Sequence, residues 1–259
     1  MRRIHAIEIA EQPWCPRVVR EALTDYLETA IVVGDAYGTA APLLADALDA
    51  AGTTDVVDLC AGGGGPWRAL VPALGRAGYP VRVRLTDLFP NGRAFERIAS
   101  ETGGAATGCP EPVDARRVPP GLGGVRTLFS AFHHFRPDDA RAVLRDAAES
   151  GRAIAVFEAT RRDARTIAIT LLVPLLVFLL TPKVRPFRWS RLLLTYLLPV
   201  VPLVALFDGI VSCLRTYTVA ELRALVADLD VAGYEWRVGE AGTGPIPMTW
   251  LVGAPRRMR

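Results

Sequence analysis

Apolar and polar positions alternate in short blocks along most of the chain, then merge into two long apolar runs past residue 165. VVDL (56–59), VRVRLTD (81–87), TLFSAFHHF (127–135) and AIAVFEA (153–159) have the length and β-branched or aromatic content of strands. A short strand start is expected at PVDARRVP (112–119), and VAGYEWRVG (231–239) with MTWLVGAP (248–255) suits a closing antiparallel pair. Helices are expected at about 17–31 and 39–51. A third, YTVAELRALVADL (217–229), opens on the capping-box spacing of Thr218 and Glu221. Strands alternating with helices predict an α/β domain built on a mostly parallel sheet.

One junction in this pattern carries chemistry. The strand ending in Asp58 runs into four glycines and then Pro66, a strand–turn–helix unit whose missing Cβ atoms let a cofactor approach the backbone. A dinucleotide fingerprint fails here: Trp67 or Arg68 stands where its third glycine belongs, which argues against a nicotinamide-dependent oxidoreductase. Read as acidic-x-G-x-G-x-G, the segment gives Asp58, Cys60, Gly62 and Gly64. This resembles motif I of the class I S-adenosylmethionine (SAM) dependent methyltransferases, with Cys60 in place of the first glycine. The resemblance covers roughly residues 30–160 and 215–255.

That resemblance implies a Rossmann-like, seven-stranded, mostly parallel sheet flanked by helices, with an N-terminal helical lid and a hydrophobic helical insertion. Four regions are expected: a lid (1–52), a SAM-binding core (53–160), an apolar hairpin (161–215) and a C-terminal completion of the core (216–259). It also implies a cofactor site. Asp58 would organise the glycine turn with Ala61 and face the amino end of SAM. Asp87, followed by Leu88, would bind the ribose hydroxyls, and Asp114 with Ala115 the adenine. His133 and His134, at the tip of the fourth strand, are candidates for the base that deprotonates an acceptor. Being adjacent in an extended chain, they are expected to point to different sides. Glu158, at the tip of the fifth strand, would orient a histidine or an amine, or pair with Arg161 or Arg162. Trp14, Tyr37, Asp208 and Arg215 are candidate acceptor contacts, the last two alternatively a mutual ion pair.

Composition narrows the rest. Four cysteines show no ligand spacing with the three histidines, so neither a disulfide framework nor a metal site is expected, and a reducing cytoplasm is. The N-terminus lacks the long apolar run of a signal peptide.

The two apolar runs, TIAITLLVPLLVFLL (166–180) and LLLTYLLPVVPLVALF (192–207), flank a connector holding Lys183, Arg185, Arg188 and Arg191. No acidic residue lies between Asp163 and Asp208. With Arg165 the stretch carries +5 against +3 for the whole chain. Charge so concentrated beside oily helices does not suit a nucleic-acid footprint. At ~1.5 Å per residue each run would reach about 22–24 Å, short of a bilayer core of about 30 Å, and its prolines shorten it further. Peripheral contact of 166–207 with the cytoplasmic face of a membrane is the expectation. Buried helices that cover the sheet, line an apolar substrate pocket or form a dimer interface stand as alternatives. Together these readings point to a SAM-dependent methyltransferase for a hydrophobic or membrane-associated small molecule, O-methylation ahead of N-methylation. A SAM-binding, membrane-attached protein or cyclase without methyl transfer is the alternative.

Overall fold

The computed structural model describes residues 1–229, 231–244 and 246–256. They divide into a sheet unit (residues 36–159 and 218–259) and a helical unit (1–35 and 160–217). The expected N-terminal region of 1–52 is thus shared: its first helix groups with the insertion and its second with the sheet.

The sheet unit holds seven strands. They are β1 (Asp55–Asp58), β2 (Arg82–Leu85), β3 (Ala106–Gly108), β4 (Val125–Phe129), β5 (Ile154–Glu158), β6 (Tyr234–Ala241) and β7 (Met248–Pro255). Their order is β3-β2-β1-β4-β5-β7-β6, with β7 antiparallel to both of its neighbours. β1 pairs in parallel with both β2 and β4. The strand order therefore reverses at β1, the kind of switch point at whose carboxyl strand ends open α/β sheets bind ligands. β5 is buried along its whole length, as an interior strand covered on both faces must be.

Five helices belong to this unit: α2 (Ala40–Ala51), α3 (Trp67–Arg76), α4 (Gly92–Glu101), α5 (Pro137–Glu149) and α10 (Val219–Ala227). The capping box at α10 is formed: Glu221 N–H donates to Thr218 Oγ1, and Thr218 N–H donates to the Glu221 carboxylate. At the carboxyl ends of β4 and β5, Phe129 stacks on Phe157 and meets Trp67 and Tyr37 edge-on, with centroids 5.0 to 5.6 Å away. Ring contacts of this kind fix the strand ends that carry the candidate site.

Two strand expectations need correction. The third strand is β3, residues 106–108, not 112–119. Pro110 and Pro112 cannot donate to a ladder, so Asp114 and Ala115 lie in a loop tied back by Val113 N–H to the carbonyl of Asp87 (2.9 Å). The fourth strand stops at Phe129, because Ser130 takes a left-handed φ of 44° and turns the chain into a single 3-10 turn, Phe132–His134.

The helical unit contains α1 (Arg17–Val33), α6 (Ala164–Thr170), α7 (Val173–Leu180), α8 (Trp189–Leu192) and α9 (Val200–Arg215), with a π-helical turn at Leu193–Leu197. With the 3-10 turn that follows, α6 and α7 form one run of 20 residues, Ala164–Lys183. That run is longer than its apolar stretch suggested, and it is long and apolar enough to cross a membrane. The second apolar run is not one helix. Leu198 precedes Pro199 and is extended, so the helical segments on either side meet at 77°.

Buried Val177, Val201, Val204 and Ala205 pack against Val19, Ala22, Leu23 and Tyr26 of α1. Two connector arginines turn inward. Arg191, 2 % exposed, pairs with Asp25 and also donates to the carbonyls of Val184 and Pro186, while Arg188 pairs with Glu21. The two ends of the insertion are joined by the hydroxyls of Thr160 and Thr216, 2.7 Å apart.

Candidate functional site

At the carboxyl end of β1 the chain leaves the sheet through Leu59, whose N–H donates to the Thr127 carbonyl, and Ala61, whose N–H donates to that of Thr86 (2.8 and 2.9 Å). Cys60 between them sits at φ 56°, then Gly62, Gly64 and Gly65 follow at φ 54°, 94° and 50°. Glycine adopts this region freely; a cysteine is strained there by roughly 1–2 kcal/mol. The Cys60 substitution is thus less innocent than its small size suggests. Gly64 has a second reason to be glycine: a Cβ would come within 2.3 Å of Ile98 on α4. At Gly62 a Cβ would meet nothing, so this part of the turn faces open space.

Asp87 closes the turn. Gly62 N–H donates to one of its carboxylate oxygens and Phe89 N–H to the other, both at 2.9 Å. A carboxylate has about four acceptor directions, so two remain for hydroxyl donors. Leu88 and Phe89 beside it are 46 % and 82 % exposed, the only large apolar side chains so exposed among the described residues of the sheet unit.

Asp58 is buried and held on both oxygens. It is 2 % exposed; one oxygen accepts from Thr127 Oγ1 (2.7 Å), the other from Trp67 Nε1 (2.8 Å). Burial pushes its pKa up to about 7, against the pull of those two donors, and the nearby negative charge of Asp87 adds to the rise. Asp58 therefore braces β1 against β4 and the start of α3. Trp67, which counted only against the dinucleotide motif, is its partner. Asp114 is also engaged: Arg116 chelates its carboxylate (2.7 to 3.1 Å) and holds its pKa below the usual range.

A second group stands where β4 and β5 end. The Glu158 carboxylate accepts from His133 Nδ1 at 2.7 Å and from His133 N–H at 3.1 Å, and both side chains are 3 % exposed. Of the roles open to Glu158, orienting a histidine is the one realised. With Nδ1–H turned to the carboxylate, the ring's other nitrogen, Nε2, is the one left to act on a substrate. The two histidine rings do not diverge. Their centroids are 4.2 Å apart at 36°, because they sit on a 3-10 turn and not an extended strand.

Ser130, which the sequence reading did not single out, ties the strand ends together. Its hydroxyl accepts from Tyr37 Oη (2.6 Å) and from Ala159 N–H (3.1 Å). A small polar residue interrupting an apolar strand was the available signal. Tyr37 is spent on that contact and on Phe129, so it is part of the frame and not a pocket wall.

The remaining acceptor candidates belong to the helical unit, where Asp208 and Arg215 make structural contacts. Asp208 accepts from the N–H groups of Ile9 and Ala10 (2.7 and 3.0 Å). Arg215 donates to Glu11 and to the carbonyl of Ala6. The first sixteen residues form no regular element, so their backbone groups need such partners. Asp208 and Arg215 share the job of holding that segment, and the hydrogen bonds of each go to it instead of to the other. Trp14 is 64 % exposed.

Neither a family model nor a curated protein matches the sequence. Solved structures do resemble it. An O-methyltransferase family protein from Burkholderia thailandensis superposes with TM-score 0.52 at 20 % identity, over 97 % of this chain and 62 % of its own. Mitomycin 7-O-methyltransferase gives 0.52 at 18 %, over 96 % and 59 %. A third structure, from Nostoc punctiforme, gives 0.51 at 15 %, over 97 % and 64 %. The chain thus spans about three fifths of the length of the proteins it resembles. At these identities the likeness speaks for architecture. The sheet order, the glycine turn and these neighbours together give the chain the fold of the class I SAM-dependent methyltransferases.

Proposed function

We propose that the chain is a SAM-dependent methyltransferase acting on a hydrophobic small molecule, with an oxygen acceptor preferred to nitrogen. The observation that carries this reading is the pairing of two features at the carboxyl edge of one sheet: an open glycine turn latched to Asp87, and a buried Glu158–His133 dyad. The turn fits the cofactor. Gly62 leaves open space where a side chain would stand, and Asp87 keeps acceptor capacity for ribose hydroxyls. Cys60, Ala61 and Leu88 border that space in sequence.

When bound, SAM supplies an electrophilic methyl group. The protein's own work is positional and protolytic. Glu158 holds His133 by Nδ1 and by its backbone, so the ring cannot rotate and Nε2 stays the proton-accepting atom. A hydroxyl acceptor loses its proton to that atom as its oxygen becomes nucleophilic. Such a base contributes about 10²–10⁴-fold. A weakly acidic alcohol or phenol needs this help more than a neutral amine does, which favours oxygen. The preference for a hydrophobic acceptor is supported by the apolar insertion that follows β5 directly in the chain.

The test is release of S-adenosylhomocysteine in the presence of SAM and a panel of lipophilic phenols, acids and amines. Turnover with a hydroxylated acceptor, lost about 100-fold or more in His133→Asn with SAM affinity kept, supports the proposal. Cofactor binding without turnover on any acceptor favours a SAM-binding protein that transfers no methyl group. Turnover unchanged in His133→Asn removes the base from the mechanism.

A further inference from the structure

The helical unit exposes an unusual amount of oil. Among the described residues, twenty-two of the twenty-four large apolar side chains that are exposed belong to it, and fourteen of those lie between Leu171 and Phe207. On the α7 arm, Leu171, Leu172, Leu175, Leu176 and Leu179 form one stripe, while Val177 points the other way into the packed cluster. On the other arm Leu193, Leu197, Leu198 and Leu203 are exposed. The arms touch: the Phe178 and Tyr196 rings are 5.8 Å apart, and Tyr196 Oη donates to the Phe178 carbonyl.

Three occupants are conceivable, and the charges choose between them. A full span is disfavoured although the Ala164–Lys183 run is long enough. The opposite side of α7 packs on α1, which carries Arg17, Arg20, Glu21, Asp25 and Glu28. A spanning run would draw those ions into hydrocarbon. A second copy of this chain is disfavoured because a two-fold contact sets each patch against itself. The connector's exposed cations, Lys183 and Arg185, would meet their own twins, and no acidic residue lies between Asp163 and Asp208 to answer them. Beside these cations stand Phe187 and Trp189, in edge-to-face contact at 5.2 Å, with Trp189 77 % exposed. A leucine stripe with exposed cations and aromatics at its end is the make-up of a segment that sits in a bilayer interface.

We propose that this face docks on an anionic lipid surface. The leucine stripe enters the acyl boundary to about 5–10 Å, with Trp189, Lys183 and Arg185 at headgroup level. Four connector charges were counted from the sequence; Arg188 and Arg191 are committed to Glu21 and Asp25, so the contact uses two. Those inward pairs keep the connector in place.

The experiment is flotation of the full chain with vesicles of phosphatidylcholine, against phosphatidylcholine containing about a third phosphatidylglycerol. Capture by the anionic vesicles is expected. It should fall about tenfold in Lys183→Glu/Arg185→Glu and likewise at high salt. Leu175→Gln/Leu179→Gln should also lose capture, with melting temperature and SAM affinity unchanged. Equal capture by neutral vesicles overturns the electrostatic half of the proposal. No capture by either, or a detergent-free dimer that the leucine variant dissociates, overturns it whole. Flotation requires no cofactor, so a protein that binds SAM but ignores vesicles defeats this inference and leaves the proposed function standing.

Discussion

The two units of this chain handle apolar surface in opposite ways. In the sheet unit, interior strand β5 is buried end to end, and among the described residues the exposed large apolar side chains are Leu88 and Phe89 beside the glycine turn. In the helical unit a thin cluster between α1, α7 and α9 is the core, and the outer stripe of α7 stays open. The first pattern encloses chemistry; the second presents surface. Hydrophobicity along a sequence therefore carries two meanings, and the position of the polar groups separates them. The sheet unit spends its buried polar groups on fixing strand ends: Asp58, Thr127, His133 and Glu158. The helical unit spends its own on fastening chain segments: Asp25 with Arg191, and Asp208 with Ile9 and Ala10.

The sharpest way to break this contrast is truncation at matched leucines. Leu128→Ala, inside β4 and fully buried, should cost about 2–5 kcal/mol in denaturant unfolding. Leu179→Gln on the open stripe should change stability by no more than about 0.5 kcal/mol. Similar losses at both sites would mean that the stripe is part of the core.

Asp58 offers a test by pH. Its pKa in the folded protein is raised from 3.8 to about 7, so the folded state holds a proton that the unfolded state releases. Stability from the neutral acid is therefore full below about pH 4 and is lost as pH rises through about 7, by up to about 4 kcal/mol. Asp58→Asn, which can keep a carbonyl toward Trp67 and an amide toward Thr127, should lack this slope. Parallel stability–pH curves for the two proteins would show that folding does not raise the Asp58 pKa.

Asp87→Ala should weaken SAM binding by about 1–3 kcal/mol, the scale of hydrogen bonds to a charged group, and also free the Gly62 N–H. Normal affinity in that variant would remove Asp87 from the cofactor site. The smallest effect belongs to Cys60. Cys60→Gly relieves a left-handed cysteine at the cost of extra chain entropy, for a net gain of at most about 1 kcal/mol, read as a small rise in melting temperature. A loss would mean that the Cys60 side chain contributes packing that outweighs the strain.

Much of the sheet unit was legible because its signals are local. The glycine turn, the acidic strand tips, the antiparallel closing pair and the capping box of α10 each declare themselves within a few residues. The misses came where distant partners or single backbone angles decide. The left-handed φ of Ser130 ends β4 early and brings the two histidines together. Prolines 110 and 112 move the third strand upstream. The partners of Asp58 stand 9 and 69 residues away and those of Asp208 about 200 away, beyond any local pattern. In the insertion, composition revealed apolar runs and charge, yet it could not show that half of the connector charge faces α1.

The measurement closest to the central claim is calorimetric titration of the purified chain with SAM and S-adenosylhomocysteine, with NADH as the control. Saturable binding of the first two, weakened in Asp87→Ala, and none of the third is the expected result. Binding of NADH, or of neither adenosyl compound, would contradict it, leaving the glycine turn without its cofactor and the Glu158–His133 dyad without a methyl donor.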